Sequence, residues 1–216
     1  MNIHDDIFTT FPGLCIVQGD VGPLSIARKN ERLEDLKDEI VSEIKRKYSL
    51  EQVKNESIFR AYRDFFWSVG VDPTKIRPAS EALVRRILAG KPIPTINTAV
   101  DAYNLASIRT GVPIGAFDAD CIQGDLTMRF AKDGEQFLGI GMEKAITLQK
   151  NQVVLTDENE IIAVYPYRDS DRTKITIDTK RVHIVACGVP RVNQETVERA
   201  YDLAATYLAE YNPSRR

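Results

Sequence analysis

Two histidines, three cysteines and one tryptophan are all that the 216 residues contain of those types, and each scarcity narrows the chemistry. Cys15, Cys121 and Cys187 are odd in number, widely spaced and free of any C-x-x-C pattern. They point to neither a disulfide framework nor a zinc knuckle, and each reads as a small apolar residue. His4 lies in the N-terminal stretch, and His183 stands in R-V-H-I-V. Strand alternation sets His183 opposite Val182 and Ile184, a structural or surface place rather than a catalytic one. G-x-S-x-G, H-E-x-x-H and a Cys-His pairing are missing, so no covalent nucleophile or catalytic zinc is signalled. G-I-G at Gly139 to Gly141 lacks a third glycine and runs into Met142-Glu143, which is not a nucleotide-binding loop. No cofactor and no metal are expected. No run approaches the roughly twenty apolar residues of a membrane span, and M-N-I-H-D-D-I-F does not read as a secretory leader. A cytoplasmic protein is expected.

Positive charge is not in excess either. With 29 Lys and Arg against 31 Asp and Glu, the formal charge is −2 and the sequence pI about 5.8, unlike a domain that binds nucleic acid without specificity. Basic residues do cluster locally: Arg77, Arg85, Arg86 and Lys91; Lys174, Lys180 and Arg181; and Arg215-Arg216 at the end. Each cluster is either solvated or a phosphate contact, with the first the strongest candidate for RNA.

What is present suits an ordinary folded chain, 43% hydrophobic and 28% charged, with enough length for a core in one domain, or one closely packed pair, over 1–216. P-G-L-C-I-V-Q-G-D-V predicts a short strand. Leu33, Leu36, Ile40 and Ile44 recur at helical spacing in Glu31 to Lys47, with basic residues in the last turn, as the helix dipole favours. Ser49 and Gln52 form a capping box for a further helix running to Gly70, in which Phe59, Tyr62, Phe65, Phe66 and Trp67 read as core. From Val112 the period falls to two. L-T-M-R-F, Q-F-L-G-I-G, V-V-L-T, I-I-A-V-Y, K-I-T-I-D and R-V-H-I-V-A-C-G-V predict short strands. So many strands close together imply a curved or barrel-like antiparallel sheet, and with the helices an α+β fold. Asn193 caps a last helix through Val197, Ala200, Ala204, Leu208 and Tyr211.

The stretch from Ile76 to Asp120 organises the rest. Pro78 and Ser80 open one helix, Leu83, Val84, Ile87 and Leu88 give its buried stripe, and Gly90 ends it. Asn97 or Thr98 opens another that ends at Gly111. On it Asn97, Asp101, Asn104 and Ser107 step by four, three and three, which aligns amide, carboxylate, amide and hydroxyl on one line. That line is either a solvated face with caps or the wall of a pocket for a small polar ligand. V-P-I-G-A-F-D then predicts a strand in which Gly115 leaves room for something to approach the backbone.

The runs R-P-A-S-E-A-L-V-R-R and I-N-T-A-V-D-A-Y-N-L-A-S-I-R-T-G-V-P-I-G-A-F-D resemble the tRNA-binding and editing domain of the phenylalanyl-tRNA synthetase beta subunit. They are more similar to its free-standing version. V-V-L-T-D-E-N-E-I-I-A and Y-R-D-S-D-R-T-K-I-T-I-D-T-K-R-V resemble later strands of the same family, so the likeness runs from Phe59 to the final helix. It implies a tRNA-binding protein that deacylates mischarged aminoacyl-tRNA in trans, since the family domain removes tyrosine from the tRNA for phenylalanine. Its partner would be the 3′ end of a tRNA or aminoacyl-tRNA, with a second copy of the chain left open. Asn104, Ser107, Arg109 and Thr110 would line the amino-acid or adenosine pocket, with Asp118 facing it. Asp157 and the block Arg168, Asp169, Ser170, Arg172 and Thr173 would form the opposite wall, or else a turn. The synthetase's histidine has no evident counterpart, and no catalytic residue is assigned. A non-catalytic RNA-binding module and an amino-acid sensor using the same pocket are the rival functions.

Overall fold

Hydrophobic stripes on the helices and the two faces of one short sheet account for most of the architecture. The structure is a computed structural model that describes residues 1–214; the Arg215-Arg216 cluster lies outside the described residues. In chain order the strands are β1 (Asn2–Ile3), β2 (Ile16–Val21), β3 (Ile114–Asp118), β4 (Thr127–Phe130), β5 (Gln136–Phe137), β6 (Ile146–Thr147), β7 (Val153–Thr156), β8 (Ile161–Val164), β9 (Arg168–Asp169) and β10 (Val182–Cys187). The helices are α1 (Asp5–Thr10), α2 (Glu31–Lys47), α3 (Ser57–Ser68), α4 (Ala79–Leu88), α5 (Thr98–Thr110) and α6 (Gln194–Tyr211).

The strands form a five-stranded sheet in the order β1-β4-β7-β8-β9, a three-stranded sheet β2-β10-β3, and the pair β5-β6. All pairings are antiparallel except β1 with β4. In the three-stranded sheet, period-two alternation splits the residues between two cores. Ile114 and Ala116 of β3 with Val182 and Ile184 of β10 face α2, α4, α5 and α6. Phe117 and Val185 face the five-stranded sheet, α1 and α3. The β3–β10 register sets Ala116 opposite Ile184 and Gly115 opposite Val185. A small third core of Phe137, Leu148, Val154 and Val164 lies under β5 and β6.

The α+β class is therefore as read from the sequence, but the sheets do not close into a barrel. K-I-T-I-D (174–178) is not a strand, and β9 is two residues long. The edge of the small sheet meets the chain after β9 through one bond, Asp118 N–H to the Thr173 carbonyl at 2.8 Å, which is too little to continue a ladder. Two helix starts also differ. The capping box at Ser49 closes only a 3₁₀ turn (Val53–Asn55), and α3 begins at Ser57. Ser80 does not cap α4; it is fully buried, and its hydroxyl has no partner among the described residues. Of the α3 aromatics, Phe59, Tyr62, Phe65 and Phe66 are core, while Trp67 is 56% exposed because it falls on the outer face. Gly90 and Gly111 end α4 and α5 with φ of 72° and 79°, the left-handed conformation that suits glycine. No helix among the described residues is long and apolar enough to cross a membrane.

Candidate functional site

β3 lies at an edge of its sheet, so part of its backbone is free to bond outside the ladder. β9 runs past that edge and brings Asp169 against it. The Ala116 N–H of that edge lies near enough to the Asp169 carboxylate to favour its ionised form. Gly115 makes the approach feasible: a Cβ there would sit 3.4 Å from Asp169 Oδ1, so any larger side chain would press on the carboxylate.

Between the two sheets at this point is a cavity of about 70 Å3. Gly115, Phe117 and Cys187 form one wall, and Ala163, Tyr165 and Tyr167 the other, with Arg168 and Asp169 as its charged members. The tyrosines are fixed from behind, Tyr165 donating to the Gly188 carbonyl at 2.6 Å. Tyr62 of α3 likewise donates to the Cys187 carbonyl at 2.7 Å. In these surroundings burial raises the Asp169 pKa to about 7, against the opposing pull of the Ala116 N–H and of Arg168. The same burial pushes the Cys187 thiol and the Tyr103 phenol upward, and for both the Asp169 charge adds to it. Near neutral pH the Asp169 carboxyl thus exists in both states, able to accept a hydrogen bond when ionised and to donate one when protonated.

The residues singled out from the sequence are dispersed around this cavity rather than gathered in it. On α5, Asn97 caps the helix through the N–H groups of Ala99 and Val100. Asp101 is buried against Lys37 at 2.7 Å and accepts from the Ile96 N–H. Ser107 is buried and donates to the Val112 carbonyl at 2.8 Å. Asn104 is half-buried, with no side-chain partner among the described residues. Arg109 binds Glu39, Glu43 and the Tyr207 hydroxyl, and Thr110 donates back to the Ala106 carbonyl. Those last two line a separate groove, beside the start of α6. Asp118 accepts from the Thr179 hydroxyl at 2.6 Å and caps the short turn Ala119–Cys121.

From the second block only Arg168 and Asp169 reach the cavity. Asp157 is buried; that burial raises its pKa, but N–H groups of Glu160, Asn159 and Gln123 and the Arg172 guanidinium bring it below the usual carboxylate range. Arg172 also bonds the Cys121 carbonyl at 2.6 Å and pairs with Glu160, so it holds the turn around Asp157. Ser170 is buried and accepts the Arg172 N–H at 3.2 Å. The basic residues of α4 are spread out. Arg77 precedes the helix and Lys91 follows it, about 15 Å apart or more for a ten-residue helix. Arg85 and Arg86 bond the Leu50 and Pro92 carbonyls. Sequence reasoning passed over Phe117, Tyr165, Tyr167 and Cys187, whose apolar character signals core. Gly115, within V-P-I-G-A-F-D, was the readable sign that something approaches β3. Among the described residues no group of three His, Cys, Asp or Glu side chains is arranged to hold a metal.

A profile of the B3/4 domain matches residues 61–213. The phenylalanine–tRNA ligase beta subunit of Tropheryma whipplei (strain Twist) is 30% identical over 147 residues, covering 68% of this chain and 15% of that protein. The beta subunit of Latilactobacillus sakei subsp. sakei (strain 23K) is 34% identical over 111 residues, 50% of this chain and 14% of that one. This chain thus spans about a seventh of the length of these curated relatives. The crystal structure of an N-terminal fragment of the phenylalanyl-tRNA synthetase beta-subunit from Pyrococcus horikoshii superposes with a TM-score of 0.52 at 18% identity, over 97% of this chain and 48% of that one. The shared feature at that identity is the fold. Since the domain profile takes in most of its residues, the chain belongs to the B3/4 domain family.

Proposed function

We propose that this chain is a trans-acting editing hydrolase, which cleaves the ester of a mischarged aminoacyl-tRNA with the amino-acid side chain held in the cavity between the two sheets. The observation that carries the reading is the Asp169 carboxyl, set beside the Gly115–Ala116 backbone on the wall of a largely apolar hollow of about 70 Å3 whose other charged member is Arg168. By the volume that one water requires, such a hollow takes about five to seven non-hydrogen atoms, the size of an amino-acid side chain. A buried polar group of this kind separates a ligand that offers it a hydrogen-bonding group from one that does not, by a factor of about 10⁴ in favourable cases. The names of the two relatives described above, both phenylalanine–tRNA ligase beta subunits, support the same direction.

No nucleophilic side chain is required. An aminoacyl ester is already activated and carries a neighbouring ribose hydroxyl, so a positioned water and donors for the developing oxyanion suffice. In this reading Asp169 binds the polar group of the substrate and Arg168 stands at the mouth. The exposed Arg77, Arg86 and Lys91 add peripheral positive charge. Of the polar line on α5, Asn104 is the member without a side-chain partner among the described residues, and it is the one to test there.

The test is to mix the protein with a panel of correctly and wrongly charged tRNAs and follow loss of the ester. Wild type shortens the lifetime of one mischarged species, and Asp169→Asn loses at least tenfold in kcat/KM for it. If wild type hydrolyses none, the reading fails. Salt-dependent binding of uncharged tRNA without hydrolysis then assigns an RNA-binding module. Thermal stabilisation by a free amino acid with no response to tRNA assigns a sensor.

A further inference from the structure

We propose that the groove between the end of α2 and the starts of α3 and α6 binds a short single-stranded RNA segment, the 3′ end of a tRNA, holding its phosphates on Lys47 and Arg199 and stacking one base on Tyr48. This rests on the editing reading for the identity of the RNA and adds the path by which it enters.

The groove has a volume of about 410 Å3, and its lining contains Lys47, Arg109, Arg191 and Arg199 against one carboxylate, Glu56. In a chain of net charge −2 that is a local reversal of sign. The four cations are held differently. Arg109 is anchored by Glu39, Glu43 and Tyr207, and Arg191 pairs with Asp64. Lys47 and Arg199 are exposed, and no carboxylate lies within salt-bridge distance of either among the described residues. They are the two whose charge is not neutralised by an ion pair among the described residues, Lys47 resting only over the Tyr48 ring.

Tyr48 points to the kind of anion. It is half-buried in the groove wall, supported edge-on by Phe59 at 5.8 Å between ring centres, with the Lys47 ammonium 4.9 Å from its own ring centre. A braced aromatic ring beside free cations is how proteins hold single strands, by base stacking together with phosphate contact. A free phosphate would not use the ring. A protein partner would want a larger apolar centre than Ile58 and Val192 supply.

The groove is also near enough to the inter-sheet cavity to serve it. Thr110 lines the groove and Pro113 the cavity, three residues on. Arg191 lines the groove and Cys187 the cavity, four residues apart. At full extension these connections span at most about 11 and 14 Å, a distance that a few nucleotides bridge. The wall made by Lys47, Tyr48 and Ile58 precedes residue 61, so it lies outside the stretch matched by the B3/4 profile.

The experiment is fluorescence anisotropy of the full chain with uncharged tRNA from 50 to 200 mM salt. The double variant Lys47→Ala/Arg199→Ala should lower the magnitude of the log–log salt slope by about 1.4, at about 0.7 per single-strand phosphate, and weaken binding at 50 mM at least tenfold. Tyr48→Leu should weaken binding about tenfold with the slope unchanged, and Tyr48→Phe should restore it. Lys47 and Arg199 are exposed and unpaired, so their loss leaves the fold intact, which circular dichroism verifies. The proposal is overturned if wild type does not bind tRNA, if the double variant keeps the wild-type slope, or if Arg86→Ala/Lys91→Ala lowers it instead. It is also overturned if polyglutamate competes as well as tRNA. Groove-dependent binding without ester hydrolysis would sink the editing reading and leave the groove standing. Hydrolysis whose KM for aminoacyl-tRNA is unmoved by the double variant would do the reverse.

Discussion

Replacing Asp169 with asparagine removes a charge and keeps the shape, which makes it the sharpest test of the cavity's electrostatics. The ordinary aspartate value is 3.8 and burial lifts this one to about 7. A carboxyl with a raised folded-state pKa binds its proton more tightly in the folded protein than in the unfolded chain. Its contribution to stability is therefore fully present below about pH 4 and is lost as pH rises through about 7. Three units at 1.36 kcal/mol each set a ceiling of about 4 kcal/mol. Because Asp169 is half-buried and faces a cavity that water can enter, about 2–4 kcal/mol is the working figure. Asparagine does not ionise, and its Oδ1 can still face the Ala116 N–H. The stability of Asp169→Asn minus that of wild type should consequently grow by about 2–4 kcal/mol between pH 4 and pH 8, so the variant is the more stable protein in mild alkali. Urea denaturation of both proteins at unit pH steps measures this, and taking the difference cancels every other titrating group. A difference that stays flat within about 0.5 kcal/mol, or grows in the opposite direction, would show that the carboxyl is solvated and that no polar-lined hollow lies between the sheets.

Other substitutions probe the supports around the site. Lys37→Ala strands the Asp101 carboxylate, now paired with Lys37 at 2.7 Å with both side chains nearly inaccessible, and should cost about 3–5 kcal/mol in denaturation. Ser107→Ala leaves the buried Val112 carbonyl without its 2.8 Å donor and should cost about 1–3 kcal/mol. If instead it leaves stability unchanged and abolishes ester hydrolysis, the α5 line would belong to the site after all. At Gly115 an alanine Cβ would make an ordinary contact with Asp169 at 3.4 Å. Gly115→Ala should therefore fold normally and Gly115→Val should fill the hollow, raising KM for a substrate with a large side chain; equal KM for all three proteins would place the substrate elsewhere.

The elements with a single physical signal were legible in the sequence. Leu33, Leu36, Ile40 and Ile44 place the buried stripe of α2, and Asn97 and Asn193 cap their helices through side-chain oxygens. Gly90 and Gly111 end theirs because only glycine takes that φ without strain. K-I-T-I-D has the alternation of a strand but forms none, since strand propensity needs a partner edge and Asp118 reaches only the Thr173 carbonyl. Pairing is a long-range fact, and no window of sequence contains it.

The polar line on α5 shows why the site was harder to read than the fold. Its spacing was real, and the inference from it was that aligned polar groups face either solvent or a ligand. The structure supplies a third answer. α5 is covered by α2, α4, α6 and β3, and the polar groups of the line are consumed inside that packing by a cap, an ion pair and a loop carbonyl. Each satisfies a backbone or charged group that would otherwise be buried unpaired. Asn104 is left over because it alone is half-buried and unmatched. The cavity instead arises where two sheets fail to close, from residues that are core-like one by one: Phe117, Tyr165, Tyr167 and Cys187. Gly115, Arg168 and Asp169 differ in kind from core. A missing side chain on an edge strand and a carboxylate brought to it by β9 are distant in sequence, and their meeting depends on the same unpaired edge that prevents a barrel. The feature that defeats sheet closure is therefore also the one that creates the hollow, so a substitution that extended β9 by pairing it to β3 would be expected to stabilise the sheet and erase the site together.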